Sequence, residues 1–575
     1  MSSPHRLIIV GGVAAGMSAA MRARRLNEQA HITVYEAGPY VSFANCGLPY
    51  HVGGEIEDRD KLLLHTPQSL KQRGNLDVRI NHSVTAIDPE AQTVTVTTPS
   101  GEKETAQYDS LILAPGASEI VPPVPGAEKA FPLRTIDQMD AVIERANNIL
   151  ASTGENQPKA VVIGAGFIGL ETVEALSERG FDVSVVDLVD HVLPPLDPDL
   201  APYLEDALKA HGVNVITGVS AKAITGEDSF VVELSDGQHL QADLIIMSVG
   251  VKPRSELAVQ AGLEVNERGA IIVDENQRTS DPHIWAAGDV TAVTFHSGRV
   301  APVMLAGPAN RQGRRAADSV MGHRVTPVAR VMATATVRVF DQVAAITGTG
   351  RRELDAAGVD YETIRIHAPN HVTYFPGAET IHLMGFFERS TGRLLGAQAV
   401  GRSGAPRRID VLVTAIRAGM TADDLAELEL CYSPPIGAAK DPINMMGFVA
   451  QNALDGTCPQ WQPEDLDAIR DENRGIILDV RSAKEHERFS IPGALNIPLP
   501  ELRDNLGAID NALRAHCAVS DEEDLDRSQT TIYVHCATGP RSYLATRILI
   551  GNGYKALNLA GGANSIQAHM KATKQ

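Results

Sequence analysis

Two of the five cysteines in this 575-residue chain, Cys46 and Cys536, stand in settings that suit sulfur chemistry. Cys46 follows Ser-Phe-Ala-Asn at 42–45, and Cys536 begins a loop directly after the apolar segment 531–534. Neither has a second cysteine two to four residues away, so neither can close a local disulfide. Redox chemistry at either thiol therefore needs a substrate's sulfur, or the other cysteine's sulfur, as its second partner.

The elements that must position Cys46 begin with a strand, a glycine-rich turn and a helix. The apolar segment 7–10 runs into Gly-Gly-Val-Ala-Ala-Gly at 11–16, where small residues let the backbone approach a pyrophosphate at the start of a helix. Val13 replaces the middle glycine of the usual G-x-G-x-x-G turn. A second apolar segment, 32–35, ends in Glu36, which is placed to accept hydrogen bonds from a ribose. The pattern predicts a dinucleotide-binding fold.

A second strand-turn-helix pattern occurs farther along the chain. Segment 160–163 leads into Gly-Ala-Gly-Phe-Ile-Gly at 164–169, and the strand after the helix ends in Asp187. A carboxylate there suits an unphosphorylated ribose and repels a 2′-phosphate, so NADH is favoured over NADPH. Two such patterns occur together with the crossover-like segment 111–116 and the Gly-Asp pair that ends 284–289. As a set, they indicate dinucleotide-binding folds far more specifically than one glycine turn alone.

The composition limits the class of protein and its partners. A net charge of −20 argues against nucleic acid or an anionic membrane as a partner, so an anionic substrate needs a local basic patch. Five cysteines indicate a reducing compartment rather than a disulfide scaffold, and the chain has no long apolar run of the kind that predicts a membrane helix. Because the strand at 7–10 starts so early, we expect a cytoplasmic protein without a signal peptide; we also expect no metal site.

On the two glycine turns, the 111–116 crossover and the Gly-Asp pair, residues 1 to about 450 resemble the two-dinucleotide flavoprotein disulfide reductases. The resemblance implies that the first fold binds FAD, that the inserted second fold binds NADH, and that Asp289 holds the flavin ribitol. The implied FAD positions are Gly11, Gly12, Ala15, Gly16, Glu36, Asn45, Ala114, Gly116, Gly288 and Asp289. The implied NAD positions are Gly164, Gly166, Gly169 and Asp187.

The setting of Cys46 selects a branch of that family. Glutathione-reductase-like members carry C-x4-C, whereas residues 42–46 show the S-F-x-x-C pattern of the single-cysteine branch. That branch contains coenzyme A disulfide reductases, persulfide and polysulfide reductases, and NADH oxidases and peroxidases. One cysteine beside a flavin can form a mixed disulfide, a persulfide or a sulfenic acid. The oxidases and peroxidases usually carry a histidine where this chain has Ala14, which argues against peroxide chemistry.

Two tyrosines extend the resemblance to coenzyme A disulfide reductases. Residues 371–377 and 431–435 are similar to segments in which tyrosines of the partner subunit reach the redox cysteine. The similarity implies that Tyr374 and Tyr432 donate a hydrogen bond or a proton to a departing thiolate, and that the protein is a homodimer. An ordinary interface role for both tyrosines stays open.

The same resemblance implies contacts with coenzyme A, whose phosphates need local cations. The implied contacts are Arg22 and Arg25 at the nucleotide end, Ser42 and Asn45 along the pantetheine arm, and Lys71 and Arg73 beyond the cysteine. Gly74 stands near a position where the family often has a lysine. Since exposed arginines on a helix are more often solvated than bound to a ligand, that alternative also stays open.

The last part of the chain resembles a single rhodanese domain in segments 475–481 and 491–498 and in the loop Cys-Ala-Thr-Gly-Pro-Arg at 536–541. A six-residue loop between a strand and a helix can direct backbone N–H groups at one sulfur. With Arg541, such a loop stabilises a thiolate or a cysteine persulfide. The other three cysteines lack comparable settings, and we interpret them as structural or incidental.

The predicted fold class is α/β: two Rossmann-like dinucleotide-binding domains for FAD and NADH, an α+β dimerisation domain and an α/β rhodanese domain. The predicted boundaries are 1–115 with 247–328 for the FAD domain, 116–246 for the NAD domain, 329–452 for the dimerisation domain, 453–465 for a linker and 466–575 for the rhodanese domain.

The leading functional hypothesis is an NADH-oxidising, FAD-dependent reductase that acts through Cys46 on coenzyme A disulfide, coenzyme A persulfide or polysulfide. Cys536 handles sulfane sulfur, and the products are thiol and hydrogen sulfide. One rival is an NADH oxidase or peroxidase of the same branch. The other is a sulfur-trafficking or redox-sensing protein whose flavin portion does not turn over as a reductase.

Overall fold

The computed structural model describes residues 4–152, 156–518 and 524–573. The chain forms two compact units, Met1–Val189 with His211–Ala333, and Asp190–Ala210 with Thr334–Gln575. The predicted α/β fold class is confirmed by the sheets and helices of both units. Within the described ranges, no helix is both long and apolar enough to cross a membrane.

A parallel five-stranded sheet carries the first glycine turn. From edge to edge its strands are Ile284–Ala286, Ser110–Leu113, Arg6–Val10, His31–Tyr35 and Asp77–Arg79. One face packs against helices Ala14–Leu26 and Ala306–Val320, and the other against the antiparallel strands Ser83–Asp88, Thr93–Thr97 and Lys103–Gln107. Because both faces are covered, the central strand Arg6–Val10 is apolar throughout its buried length rather than alternating.

Shorter elements complete this region. They are helices Leu48–Gly53, Pro67–Gly74 and Glu256–Gln260, the 3-10 turns Asn45–Gly47 and Arg59–Leu62, and the short strands Ala117–Glu119, Val251–Pro253, Ala292–Thr294 and Val300–Pro302.

A second parallel sheet carries the second glycine turn. Its strands, in order, are Asn214–Ile216, Asp182–Val186, Lys159–Ile163 and Leu244–Met247. Helices Ile136–Ser152 and Phe167–Glu178, the 3-10 turn Ala127–Lys129 and the antiparallel strands Ala221–Gly226, Phe230–Leu234 and His239–Ala242 accompany it. The two sheets repeat one design, so each glycine turn lies at the carboxyl end of a central parallel strand, where α/β folds bind ligands.

The second unit contains an antiparallel sheet of five strands. In order they are Ala335–Val339, Gln342–Gly348, Leu394–Gly401, Thr380–Glu388 and Tyr361–Pro369. The helices of this region are Arg351–Ala356, Ala405–Ala418, Ala422–Ala426 and Pro442–Leu454, and helix Ala201–Ala210 belongs to the same unit. This is the α+β arrangement predicted for the dimerisation domain.

A parallel sheet later in the same unit carries Cys536. Its strands, in order, are Gln460–Trp461, Lys555–Leu559, Thr531–His535, Gly475–Asp479 and Leu495–Asn496. Its helices are Leu466–Asp471, Ala483–Arg488, Leu506–Cys517, Pro540–Gly551 and Gly562–Ala572, with 3-10 turns Pro463–Asp465 and Leu499–Asn505. Strand Thr531–His535 lies at its centre and delivers Cys536 to the start of the loop.

The segment 453–465, which the sequence predicts as a linker, contains part of this sheet. Strand Gln460–Trp461 pairs with Lys555–Leu559, and Trp461 is buried with its indole N–H donating to the Val534 carbonyl at 3.3 Å. The connection between the two sheets is therefore short and anchored, because Trp461 closes one face of the parallel sheet.

A buried polar cluster joins the two sheets of the second unit. Arg365, from the antiparallel sheet, donates to Asp199 at 2.6 Å and to Glu464 at 3.1 Å, and His569, from the last helix, contacts Asp199 at 2.8 Å. Although burial favours the neutral acid, hydrogen bonding by His569 and the charges of Arg365 and Arg351 lower the pKa of Asp199 to about 2. The carboxylate stays charged and ties the last helix to the antiparallel sheet.

Candidate active sites

The first glycine turn is shaped by backbone contacts that exclude side chains. A Cβ on Gly11, whose φ is 101°, would lie 2.1 Å from the Ala114 carbonyl oxygen, and one on Gly16 would lie 1.8 Å from the Gly11 carbonyl oxygen. The Gly12 amide donates to the Glu36 carboxylate at 2.7 Å. The turn thus brings the start of helix Ala14–Leu26 against the strand ends with its free amides available to a pyrophosphate, so the residues present fit a dinucleotide.

The Gly-Asp pair lies at the edge of the same sheet. The Gly288 amide donates to Gln312 at 2.6 Å, and a Cβ on Gly288 would approach the Ala15 side chain to 2.9 Å. Burial raises the pKa of Asp289, and Arg134, which donates to it at 3.3 Å, opposes that shift. Asp289 therefore offers a largely desolvated carboxyl group beside the first turn, as a hydroxyl-rich ribitol requires.

Two further predicted FAD positions lie close to this carboxyl group. Asn45 donates its side-chain amide to the Arg134 carbonyl at 3.3 Å, and Gly116 adopts a φ of 73° on the chain segment after Ala114. FAD held by these residues would supply a flavin ring that passes an electron pair from NADH to a sulfur. Arg134 is not part of any sequence motif, and only the fold reveals it.

The second glycine turn repeats the steric pattern of the first. A Cβ on Gly169 would lie 1.9 Å from the Gly164 carbonyl oxygen, whereas one on Gly166 would meet no atom within 4 Å. The Asp187 carboxylate accepts the Ala165 amide at 2.6 Å and the Val189 amide at 2.8 Å. Asp187 is thus fixed at the turn as an anion, which is the feature expected to repel a 2′-phosphate.

Cys46 lies in the 3-10 turn Asn45–Gly47, just before helix Leu48–Gly53, and is an exposed free thiol. The surrounding protein removes part of the hydration of the thiol and so raises the pKa of Cys46, and the charges of Glu171 and Asp289 raise it further. These surroundings favour the thiol form over the thiolate. The influence of Asp289 also places the sulfur close to the predicted flavin site.

A basic cavity of about 410 Å³ lies on the same unit, and it collects some of the predicted coenzyme A residues. It is lined by Met21, Arg24, Arg25, Glu28, His65, Leu70 and Arg73. Arg24 is buried and donates to four backbone carbonyls, so its guanidinium serves the fold. Arg25, Arg73 and His65, with the carboxylate of Glu28, are the other polar groups that line the cavity.

The other predicted coenzyme A residues have different surroundings. Arg22 pairs with Asp318 at 2.6 Å, and Lys71 donates to the Asn75 side chain at 2.7 Å, so neither lines the cavity. Ser42 adopts a φ of 50°, and its amide donates to the Gly12 carbonyl at 2.8 Å. This backbone bond links the segment before Cys46 to the first glycine turn.

Tyr374 and Tyr432 come together on the second unit. Their hydroxyls lie 3.1 Å apart, and the hydrogen bond with Tyr432 is the main cause that raises the pKa of Tyr374. The two residues are 72% and 47% exposed, and Phe375 and Ile436 beside them in the chain are exposed as well. Large exposed aromatic and aliphatic residues in one patch are typical of a surface that a partner covers.

Cys536 is buried and 1% exposed at the end of strand Thr531–His535. Its sulfur accepts the Gly539 amide at 3.2 Å. The Ser542 hydroxyl lies 3.3 Å from the sulfur and 2.9 Å from the Gly539 carbonyl, so its one O–H can donate to either acceptor. Its carbonyl accepts the Ala563 amide at 2.7 Å, so the start of helix Gly562–Ala572 fixes the loop from the other side. N–H and O–H groups directed at one sulfur stabilise negative charge on it, as a thiolate or a persulfide requires.

Arg541, at the end of the Cys536 loop, is paired with Glu485. Its two terminal nitrogens donate to the two carboxylate oxygens at 2.6 and 2.8 Å. The hydrogen bonds from Arg541, with smaller help from Ser482, lower the pKa of Glu485 to about 2. Sequence reasoning identified Arg541 but missed Glu485, which lies 56 residues earlier in the chain.

A buried carboxylate supports the helix that carries Glu485. Asp479 accepts Arg481 at 2.7 Å and His486 at 2.8 Å, and none of its surface is exposed. Burial opposes ionisation of Asp479, but Arg481, His535 and His486 lower its pKa below the ordinary value. Helix Ala483–Arg488 is thereby held against the strand that precedes it.

The chain matches known families over most of its length. Residues 5–313 match the family described as pyridine nucleotide-disulphide oxidoreductase, residues 334–441 match the dimerisation domain of that family, and residues 462–569 match the rhodanese-like domain. These matches confirm the predicted family, its FAD and NAD cofactors and the class of oxidoreductase.

Individual proteins of known name are similar to the chain. Coenzyme A disulfide reductase from Staphylococcus epidermidis is 33% identical over 449 residues, which are 78% of this chain and 100% of that protein. The reduced form of CoADR-RHD from Bacillus anthracis superposes with a TM-score of 0.92 at 39% identity, covering 99% of this chain and 98% of that one. The NAD-dependent persulfide reductase from A. fulgidus superposes with a TM-score of 0.86 at 36% identity, covering 97% and 99%. The chain therefore belongs to the pyridine nucleotide-disulphide oxidoreductase family and carries a dimerisation domain and a rhodanese-like domain.

Proposed function

We propose that the protein reduces coenzyme A persulfide, and also coenzyme A disulfide and polysulfide, with electrons from NADH and with Cys46 as the redox nucleophile. The observation that carries this proposal is the setting of Cys46. It is an exposed thiol beside the predicted flavin carboxylate Asp289, and every cysteine of the chain is free. The second sulfur of the reaction therefore comes from the substrate.

The reaction on a persulfide balances as follows. The Cys46 thiolate attacks the inner sulfur of the persulfide, the S–S bond breaks, and hydrosulfide leaves with the electron pair, so that Cys46 holds coenzyme A in a mixed disulfide. FAD, held at the first glycine turn and Asp289, would pass the electron pair of NADH to that disulfide. Coenzyme A is then released as a thiol, and the net change is persulfide, NADH and a proton to thiol, hydrogen sulfide and NAD⁺.

The raised pKa of Cys46 fits this sequence of events. Because partial desolvation and the charges of Glu171 and Asp289 disfavour a standing thiolate, the thiol is less prone to adventitious oxidation. Tyr50 donates to Glu171 at 3.1 Å, which fixes the carboxylate that exerts this effect. Proton transfer at the sulfur is thus a part of turnover.

We infer a homodimer in which the tyrosine pair meets the partner's Cys46 region. Tyr374 and Tyr432 are bonded to each other and exposed within an apolar patch, and residues 334–441 match a dimerisation domain. One hydroxyl donating to the other polarises the second, which favours O–H donation to a departing thiolate. The basic cavity with Arg25, Arg73 and His65 takes the phosphate-bearing end of coenzyme A.

The test is NADH consumption by the FAD-loaded protein with coenzyme A persulfide, coenzyme A disulfide, glutathione persulfide, polysulfide, oxygen and peroxide. We expect the coenzyme A species to be the best acceptors, and Cys46→Ser to lose turnover with them by about a thousandfold or more, because a serine oxygen forms no disulfide. Cys517→Ser, which changes an exposed cysteine at the end of helix Leu506–Cys517, is the matched control. Full turnover by Cys46→Ser, or preference for oxygen, contradicts the proposal.

A further inference from the structure

The loop that holds Cys536 ends in one cation, and that cation is neutralised by a carboxylate from another helix. Within residues 536–541 the only charged side chain is Arg541. Glu485 binds it through two hydrogen bonds, of 2.6 and 2.8 Å, and both side chains keep about a third of their surface exposed. The pair thus borders solvent at the rim of the loop.

The carboxylate is held in this position by its own helix. Ser482 donates its amide at 3.1 Å and its hydroxyl at 2.8 Å to the same Glu485 oxygen, and its own oxygen caps the Glu485 amide. His486, the next residue, is fixed to the buried Asp479. Glu485 is therefore a placed group rather than a freely moving surface side chain.

We propose that Glu485 is a specificity-determining residue that makes the Cys536 site poor for small dianionic sulfur donors such as thiosulfate and leaves it suited to persulfides of organic thiols. This inference rests on the proposed role of Cys536 in handling sulfane sulfur. The chemistry concerned is sulfur loading. The Cys536 thiolate attacks the outer sulfur of thiosulfate, the S–S bond breaks, and sulfite leaves with the electron pair.

Charge decides between the two kinds of donor. An anionic thiolate and a dianionic donor repel each other, and a departing sulfite carries two negative charges, so thiosulfate needs a net positive site. Here the N–H group of Gly539 and the O–H group of Ser542 lie at the cysteine sulfur. The one cation of the loop, Arg541, interacts with that sulfur and binds Glu485 through two hydrogen bonds, so its charge is not available to a dianionic donor. A persulfide whose remaining charges lie far from the sulfur does not need a positively charged site.

The experiment measures kcat/KM for sulfur transfer from thiosulfate to cyanide, which removes the sulfur of the Cys536 persulfide as thiocyanate. In Glu485→Gln the amide keeps the contact with Ser482 but loses the charge, and we expect kcat/KM for thiosulfate to rise about tenfold and to fall more steeply with salt than in the wild type. With the persulfide of 2-mercaptoethanol, an uncharged thiol, we expect a change of less than about twofold. Glu485→Asp, which keeps the charge, is expected to stay close to the wild type in both assays.

Ser482→Ala is the matched control, since it weakens the helix cap and leaves both charges in place. An unchanged or lower thiosulfate kcat/KM in folded Glu485→Gln overturns the inference. The wild type gives an independent check: a nearly salt-independent thiosulfate rate supports a neutral site, and a steep fall with salt contradicts it. Failure of the proposed role of Cys536 in handling sulfane sulfur is seen differently, as sulfur transfer that persists in Cys536→Ser.

Discussion

The two reactive cysteines are surrounded by opposite electrostatics. Cys46 is exposed, and partial desolvation together with the charges of Glu171 and Asp289 disfavours negative charge on the sulfur. Cys536 is buried, and its sulfur lies within hydrogen-bond distance of the Gly539 amide and the Ser542 hydroxyl, which favour negative charge. Cys46 lies in the 3-10 turn Asn45–Gly47, whereas Cys536 directly follows strand Thr531–His535, so the two sulfurs differ in backbone setting as well as in surrounding charge.

This difference separates an electron-accepting site from a sulfur-holding site. A cysteine that alternates between thiol and disulfide gains from a resting thiol form, because a standing thiolate beside an oxidant is consumed. A cysteine that stores a sulfur atom as a persulfide needs donors that stabilise the terminal anion. A cysteine can thus serve two kinds of chemistry, because one set of surroundings disfavours negative charge on the sulfur and the other favours it.

The largest expected effect comes from removing the sulfur of Cys536 while leaving Cys46 in place. Cys536→Ser should lose sulfur transfer from thiosulfate or an organic persulfide to cyanide by about a thousandfold or more, because the sulfur that carries the persulfide is gone. NADH consumption with coenzyme A disulfide should stay within about twofold of the wild type. Cys458→Ser, which alters another buried cysteine, controls for packing. A parallel loss of both activities would contradict the assignment of separate roles to Cys46 and Cys536.

A smaller loss is expected from disturbing the backbone that supports the Cys536 loop. A Cβ on Gly562, whose φ is 66°, would lie 2.7 Å from the Cys536 carbonyl oxygen. Gly562→Ala should lower sulfur transfer by about a hundredfold while the NADH-dependent activity survives. Gly507→Ala is the control, because a Cβ there meets no atom within 4 Å and the residue lies in a helix. Full sulfur transfer in Gly562→Ala would show that the loop does not need this support.

Removing one donor to the Cys536 sulfur should have a moderate effect. Ser542→Ala deletes the hydroxyl that lies 3.3 Å from the sulfur, and one hydrogen bond to a charged group is worth about 1.5 kcal/mol or somewhat more. We expect the rate of sulfur loading to fall about tenfold, as followed by rapid-quench measurement of the persulfide. Ser528→Ala, on an exposed turn of the same region, should leave the rate unchanged. An unchanged rate in Ser542→Ala would show that the Ser542 hydroxyl does not assist sulfur loading.

The smallest expected effect concerns the electrostatic surroundings of Cys46. Because the charge of Glu171 raises the pKa of Cys46, Glu171→Gln should lower that pKa and increase the thiolate fraction at any pH below it. Alkylation of Cys46 by iodoacetamide at pH 7 should then be about threefold faster, with the pH profile displaced to lower pH. Peptide mass analysis separates Cys46 from the other exposed cysteines.

Glu144→Gln provides the control for this last change. Glu144 is exposed on helix Ile136–Ser152 and does not contribute to the pKa of Cys46, so its alkylation profile should match the wild type. Slower alkylation in Glu171→Gln would contradict the electrostatic description of the Cys46 site.

Features encoded within a few neighbouring residues could be predicted from the sequence. Both glycine turns, the strands that precede them and the loop after Thr531–His535 are local patterns, since a strand, a turn and a helix follow one another directly. Cys536 stands inside such a pattern, and Cys46 is marked by the local S-F-x-x-C pattern at 42–46. The family and the fold class followed from the same motifs.

Features that depend on distant pairing could not be predicted. The sequence offers Arg22 and Arg25 as equivalent cations, but Asp318 pairs with Arg22 and leaves Arg25 to line the cavity. Glu485 reaches Arg541 across 56 positions, with no spacing rule that joins them. Such contacts arise from the order of strands in a sheet, and that order is a property of the whole fold.

The central claim is that the missing partner of Cys46 is the substrate's sulfur, and trapping the intermediate tests it most directly. The FAD-loaded protein is mixed with coenzyme A disulfide in the absence of NADH, so that the mixed disulfide is not reduced, then quenched in acid and analysed by peptide mass spectrometry. The account predicts coenzyme A attached through a disulfide to the peptide that contains Cys46, with one equivalent of coenzyme A released. A disulfide between Cys46 and another cysteine of the protein, or a Cys46 peptide that never carries coenzyme A, would contradict it.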